Sequence, residues 1–315
     1  MTITRRLGLI AAMAAGLGFG SAAMAQEYPN KPINWIIPFS AGSGADTFAR
    51  TLIRATEQVL GVPIVPINRE GGGTAIGTAY AAAQAPDGYT IFSQSDTLAL
   101  GLAAGQWPVT VDQIEGVARV NADYKALIVP GGSPFQTFEE FRGYVLANPG
   151  TVRLGGVGAR SWSSVFANKL LANMQADINY IPYDGGSQVV SAIVGENIEA
   201  AVITSSNINA QVDAGDIRIL AISLGQRSAD RPDVPTFGEI GYADMADDLL
   251  WRGVFAPAGI PDEIKAVLSA AIEEAIEDAG WREYMQRQRQ QDAFMPHTEF
   301  DAFLKRVVAG YETGL

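Results

Sequence analysis

Four short loops rich in glycine and hydroxyl side chains each stand immediately before a stretch of helical periodicity: Ser40–Asp46, Gly71–Thr74, Gly155–Ser161 and Asp184–Ser187. Such a loop presents several backbone N–H groups at the positive end of a helix dipole, which suits a carboxylate or a phosphate. One loop alone is as readily a tight strand-to-helix turn as a site. Four together favour a site, because open α/β sheets take their ligands at this edge.

Other chemistry is poorly supplied. His297 is the single histidine, placed after Pro296 at the expected start of the last helix with Glu299 nearby, and has no evident triad partner. The chain lacks a Gly-x-Ser-x-Gly elbow and a P-loop, and Gly42-Ser43-Gly44 lacks the third glycine of a dinucleotide fingerprint. Cysteine is absent, which excludes thiolate catalysis, cysteine metal sites and disulfides. A binding protein without cofactor or metal is expected rather than an enzyme.

The elements that must position these loops alternate. Residues 33–37 read as a buried strand, followed by a helix with Ala45, Phe48, Ala49, Leu52, Ile53, Val59 and Leu60 on one face, ended by Gly61. A strand at 63–67, a small-residue helix at 75–85 and a strand at 89–93 complete a βαβαβ unit. The pattern restarts with a strand at 126–130, a helix at 138–147, a strand at 152–154, a helix at 161–174, a strand at 179–182 and a helix ending near Gly195. Strands at 200–203 and 217–223 follow, then a strand at 251–256 and helices at 261–278 and 297–311. The charged run from Glu273 to Arg289 reads as a solvated helix face. The expected fold is α/β and two-lobed, each lobe a mostly parallel sheet flanked by helices, with the ligand in the cleft between them. Lobe 1 is assigned residues 26–121 and 227–315, and lobe 2 residues 122–226.

Compartment is read from the first residues. Arg5 and Arg6 precede an apolar run, Leu7–Gly20, that is too short for a lasting membrane span, and Ala23-Met24-Ala25 offers small residues for a signal peptidase. Export to the periplasm with cleavage before Gln26 is expected. The whole chain carries 22 basic and 34 acidic residues, a net charge of −12, and losing Arg5 and Arg6 makes it more acidic. A nucleic-acid partner is excluded on that balance, since such affinity comes mainly from neutralised phosphates.

Several motifs, in order, resemble one family. Tyr28-Pro29-Asn30-Lys31-Pro32-Ile33 followed by Pro38-Phe39-Ser40-Ala41-Gly42-Ser43-Gly44-Ala45-Asp46 resembles the opening of the Bug family, the periplasmic solute receptors of tripartite tricarboxylate transporters. Asn68-Arg69-Glu70-Gly71-Gly72-Gly73, Pro86-Asp87-Gly88-Tyr89-Thr90, Ile181-Pro182-Tyr183-Asp184-Gly185, Pro232-Asp233-Val234-Pro235-Thr236 and Trp251-Arg252-Gly253 to Gly259 are similar to its later signatures. The resemblance implies a small carboxylate held by backbone amides of the four loops, delivery to transmembrane permease subunits, and a monomer. The same closed form would also serve a sensor kinase, and an α/β enzyme is the remaining alternative. Carried over by position, the binding residues are Phe39, Ser40, Ala41, Gly42, Ser43 and Asp46; Gly72, Gly73 and Thr74; Gly158, Arg160, Ser161 and Ser164; and Tyr183, Asp184 and Gly185.

The departures bear on specificity. Ser43 and Thr74 replace glycines usual in the family, Arg160 replaces a glycine, Ser164 stands where histidine is common, and Asp184 replaces a lysine. Arg160 either forms a bidentate pair with a ligand carboxylate, pairs with Asp184, or sits at a solvated rim. Asp184 would repel an anion unless it is paired. Trp107 and Trp162 are read as core or hinge residues before ligand platforms.

Overall fold

The structure, a computed structural model, describes residues 28–105, 107–159 and 161–314. The signal-peptide reading and Arg160 therefore lie outside the described residues. Elements follow in the order β1 (Ile33–Ile37), α1 (Gly44–Leu60), β2 (Ile64–Asn68), α2 (Ala75–Ala82), β3 (Thr90–Ser95), α3 (Thr97–Ala103), β4 (Ile114–Asp123) and β5 (Lys125–Pro130). Then come α4 (Phe138–Ala147), β6 (Arg153–Val157), α5 (Trp162–Met174), β7 (Asn179–Tyr183), α6 (Gly186–Val194), β8 (Ala200–Thr204), α7 (Asn209–Ala214) and β9 (Ile217–Ile222). The tail is β10 (Leu250–Pro257), α8 (Asp262–Ala275), α9 (Ala279–Gln288), β11 (Gln291–Pro296) and α10 (His297–Gly314).

The strands form two sheets, in the orders β11-β4-β10-β3-β1-β2 and β7-β6-β8-β5-β9. Each is the base of one lobe, so the two-lobed α/β expectation holds. Within each sheet the βα repeats pair in parallel, as β1 does with β2 and β3, and β6 with β7 and β8. Both sheets are nevertheless mixed. β10 runs against β3 and β4, and β5 against β8 and β9, because these strands arrive from the other lobe rather than through a crossover helix.

Apolar residues cover both faces of each sheet. Along β1, Ile33, Trp35 and Ile37 join one cluster and Ile36 the opposite one; along β8, Ala200 and Val202 face one way and Ala201 and Ile203 the other. This two-faced burial is why the strands read as continuous apolar runs. α1 starts at the N-cap Ser43, buries Phe48, Ala49, Leu52 and Ile53, and stops at Gly61, whose left-handed φ of 68° suits glycine.

Two stretches of chain connect the lobes. Tyr124 alone separates β4 of the first sheet from β5 of the second, and residues 223–249 return the chain from β9 to β10. The run from Glu273 to Arg289 departs from its expected solvated face. It breaks into two helices at the N-cap Asp278, and α9 buries Trp281, Tyr284 and Met285, spaced i, i+3 and i+4, against α1 and the sheet.

Candidate functional site

A cavity of about 340 Å³ lies between the lobes. The first lobe supplies Phe39, Gly44, Ala45 and Phe48, the end of β3 at Ser93–Ser95, Leu250 and Arg252 of β10, and Tyr284, Gln288 and Gln290. The second lobe supplies Ser206 and Asn207. The cavity thus opens on the first two residues of a 17-residue helix, whose N–H groups have no intrahelical acceptor.

Loop 1 is built to hold that helix start in place. Ser43 Oγ accepts from Asp46 N at 3.2 Å, while Asp46 Oδ2 accepts from Gly42 N at 2.9 Å. Asp46 also accepts from Arg50 Nε at 2.9 Å and Asn68 Nδ2 at 2.8 Å. Burial alone would raise its pKa, but Arg50, the Gly42 amide and Asn68 outweigh burial and hold the carboxyl below the usual range. Asp46 therefore organises the loop, and the cavity wall itself is Phe39, Gly44 and Ala45. Ser40 donates to Glu70 across to loop 2 at an exposed position, and Ala41 and Gly42 are also exposed.

Loop 2 reaches the cavity through an intermediary. Gly71, Gly72, Gly73 and Thr74 all have positive φ, and Thr74 at 80° is a β-branched residue in a region that favours glycine. Its buried hydroxyl accepts from Gln94 Nε2 at 2.7 Å, and Gln94 lines the cavity.

The loops of the second lobe are tied mostly to themselves. Gly158 N donates to Tyr183 O at 2.8 Å, joining loops 3 and 4. Ser161 caps α5 in a reciprocal box with Ser164, and Ser163 fastens Val157 N and Val202 O. Gly156 is required here: a Cβ would fall 2.3 Å from Ser163 Oγ. Asp184 is exposed, with its N–H donated to Gln188 Oε1. Gly185 is the N-cap of α6, and Gly186 abuts Asn207, which lines the cavity. None of Gly158, Ser161, Ser164, Tyr183, Asp184 and Gly185 lines the cavity as the lobes stand.

Four features of the site were not legible beforehand: the end of β3, Ser206–Asn207, Arg252, and the Tyr284–Gln290 wall. Arg252 stands inside the Trp251-Arg252-Gly253 motif, the one signal the sequence offers for it. It is held by Asp123, the last residue of β4, whose Oδ2 accepts from both terminal nitrogens of Arg252 at 3.2 Å. Ser206 Oγ of the second lobe donates to the same oxygen at 3.0 Å, and Gln290 Nε2 at 3.3 Å. Asp123 is a tie between the lobes at the cavity floor. Arg289 and Asp213 form a second tie at the rim, 2.6 Å apart.

Trp162 is buried beside Lys125, and Trp107 packs on Gly101 in the first-lobe core, in keeping with their core reading. His297 begins α10, its N–H donated to Ser269 Oγ. Among the described residues, no group of three or more His, Asp and Glu could hold a metal ion, and no helix is long and apolar enough to cross a membrane.

Two lobes on mixed sheets with a polar cavity between them define a solute-binding protein. The family model described as the tripartite tricarboxylate transporter family receptor, TctC, matches residues 48–307, and the chain belongs to that family. The matched span takes in loops 2–4, Arg252 and Gln290 and begins just past loop 1. Protein BugT of Bordetella pertussis is 30% identical over 281 residues, 88% of this chain and 86% of BugT. A TctC solute-binding protein from Polaromonas is 28% identical with a TM-score of 0.82, covering 91% of this chain and 98% of its own. MatC of Rhodopseudomonas palustris, solved with bound malate, shares the fold at 23% identity and a TM-score of 0.73, over 91% of this chain and 99% of MatC.

Proposed function

We propose that this chain is an extracytoplasmic receptor that closes its lobes around a small carboxylate and presents the closed form to a tripartite tricarboxylate-type permease. The observation that carries the reading is the cavity between the lobes, opening on the N–H groups of Gly44 and Ala45 at the start of α1. A carboxylate there gains from the helix dipole and from unpaired amides at once. The neutral amides and hydroxyls of the wall, with Phe39, Phe48 and Tyr284, suit a small organic acid better than a bare inorganic anion.

The proposed lobes are residues 26–121 with 227–315, and residues 122–226; the division of strands between the two sheets supports them. Loops 3 and 4, from Gly158 to Ser164 and from Tyr183 to Gly185, meet the ligand when the lobes close, with Arg160 among them and its charge balanced by Asp184. The contact of Gly186 with Asn207 supports that placement. The protein acts as a monomer in the periplasm, after cleavage before Gln26, and catalyses nothing. Its relatives are solute-binding proteins, which supports the last point.

A thermal-shift screen of the purified exported protein against carboxylates tests the central claim. A ligand at one hundred times its dissociation constant should stabilise the fold by about 2.7 kcal/mol. Small-angle scattering should then show a smaller radius of gyration at saturation. Mass spectrometry of the periplasmic form should find Gln26 or its pyroglutamate at the N-terminus. Stabilisation by neutral solutes and by no acid would sink the carboxylate reading.

A further inference from the structure

Arg252 is the one charged side chain among the described residues that line the cavity. Two of its N–H groups go to Asp123, one from each terminal nitrogen, which leaves three of the five a guanidinium carries. The two partners differ in exposure: the Asp123 side chain is sealed at 0%, while Arg252 keeps 17%. The carboxylate thus fixes the guanidinium from behind, and the free edge of Arg252 belongs to the cavity. Its carbon Cζ lies over the Phe48 ring, 6.0 Å from the centroid. Phe48 is one helical turn beyond Gly44 and Ala45, so the guanidinium and the helix start face one cavity across a single ring.

The rest of the polar wall is neutral, and part of it is already engaged. Gln94 donates to Thr74 and Thr78 and accepts from Ser95 N. Gln290 accepts from Asn121 and donates to Asp123.

We propose that Arg252 reads the ligand's acid group, and that the cleft selects a monoanion, a carboxylic acid whose other polar groups are uncharged hydroxyls or amides, over di- and tricarboxylates. The proposal rests on the carboxylate-receptor reading above. One acid group finds the free edge of a guanidinium and a helix N-terminus. Among the described residues a second finds only neutral amides and hydroxyls and no cation of its own, and an unpaired buried charge is costly; in this proposal the charge of Arg160 in loop 3 is balanced by Asp184 in loop 4. Arg252 and Asp123 together add no net charge, and the chain as a whole repels anions. Hydroxyls and amides on the ligand meet the neutral wall without that penalty.

The test is calorimetry on the purified exported protein with matched diacids, half-amides and diamides: succinate, glutarate and adipate, their mono-amides and their diamides. The best mono-amide should bind at least tenfold tighter than its diacid. Arg252→Gln should cut mono-amide binding tenfold or more, and because it strands Asp123, the double variant Asp123→Asn with Arg252→Gln keeps the floor neutral and should lose the same affinity. Diamide binding should fall by less than mono-amide binding in the double variant. A diacid that binds tighter than its mono-amide overturns the proposal, as does mono-amide binding that survives the double variant. Diamides binding as tightly as mono-amides to the unaltered protein, or no binding across the series, would overturn the carboxylate reading itself and this proposal with it.

Discussion

Asp123 and Lys125 stand on either side of Tyr124, at the shortest crossing between the lobes, and the chain uses them in opposite ways. Asp123 gathers Arg252, Gln290 and Ser206, all residues of the front cavity, so its ties end where a ligand can reach their other edges. Lys125 turns into a closed cluster: Nζ is 2.7 Å from Asp248 and 3.6 Å from Asp96, with the Trp162 and Phe166 rings at 5.4 and 5.5 Å. Asp248 in turn pairs with Lys169 on α5, at the edge of a groove on the side of the hinge away from the cavity. Two charges on either side of one residue thus serve two tasks. Asp123, whose partner Arg252 keeps donors to spare, belongs to binding, and Lys125, paired away from the cavity, fixes the pivot on which binding acts.

The electrostatics follow that division. Burial pushes the Asp96 carboxyl up to about 6, with Lys125 pulling against it and Asp248 adding to the rise. Burial alone would lower the Lys125 ammonium, but Asp248, Tyr311 and Asp96 outweigh it and hold it above its usual value. Burial also acts to raise Asp248, and Lys125 and Lys169 more than cancel it.

The largest expected effect breaks the sealed side. Lys125→Ala strands Asp96 and Asp248, and removing one partner of a buried ionic cluster costs about 3–5 kcal/mol. Urea denaturation of the ligand-free protein should show that loss, and Lys125→Met combined with Asp96→Asn should recover part of it. A loss under about 1 kcal/mol would mean that the cluster is hydrated and the contrast with Asp123 is false.

A smaller effect tests the titration of Asp96. Its folded pKa of about 6 lies above the ordinary aspartate value of 3.8, so between those values the folded state holds the proton more tightly than the unfolded chain. The contribution of Asp96 to stability is therefore present in full below about pH 4 and is lost as pH rises through 6. Relative to Asp96→Asn, the unaltered protein should gain stability from pH 7 to pH 4, by on the order of 2 kcal/mol. Denaturation midpoints of the two proteins across that range check it, and parallel curves would sink the assignment.

Local patterning made the βα repeats readable, and distance in the sequence hid half of the cavity. Helix α4 matches its expected bounds because Thr137 and Glu140 form a capping box before an apolar run, and β1 matches because four of its five residues are apolar and cover both faces. β4 does not read as a strand although it is paired on both sides, since Glu115, Arg119 and Asn121 interrupt its apolar run. Those polar groups are bound by Lys265 and Gly259, by the Ala293 carbonyl, and by Gln290. α9 reads as a solvated face because three of its ten residues are charged, which hides the buried stripe of Trp281, Tyr284 and Met285. Arg252, Tyr284 and Gln290 lie some 200 residues beyond loop 1, and sheet order alone, with β10 beside β3, brings the β10 part of that wall to the mouth of α1. Loops 3 and 4 look in sequence like loops 1 and 2. Which of the four face a ligand before closure depends on the angle between the lobes, and no local signal encodes that.

The smallest expected effect separates the loop that faces the cavity from its counterpart in the other lobe. Ser43 and Ser161 both cap helices, through Asp46 N at 3.2 Å and Ser163 N at 3.1 Å. Replacing either by alanine should cost about 1 kcal/mol of stability. The two should part in binding. Ser43 fixes the helix start at which Gly44 and Ala45 present their N–H groups, so Ser43→Ala should weaken acid binding a fewfold, and Ser43→Asn, which keeps an N-cap acceptor, should restore both stability and affinity. Ser161 sits in a loop turned inward on Val157, Ser163 and Ser164, and in the proposed mode the ligand first meets the first lobe. Ser161→Ala should accordingly leave the association rate unchanged and shorten only the lifetime of the closed complex. Stopped-flow fluorescence with the ligand found by the screen distinguishes the two variants. An association rate that falls equally in both would mean that the loops of the two lobes grip together from the first encounter, and the front cavity would then belong to both lobes alike.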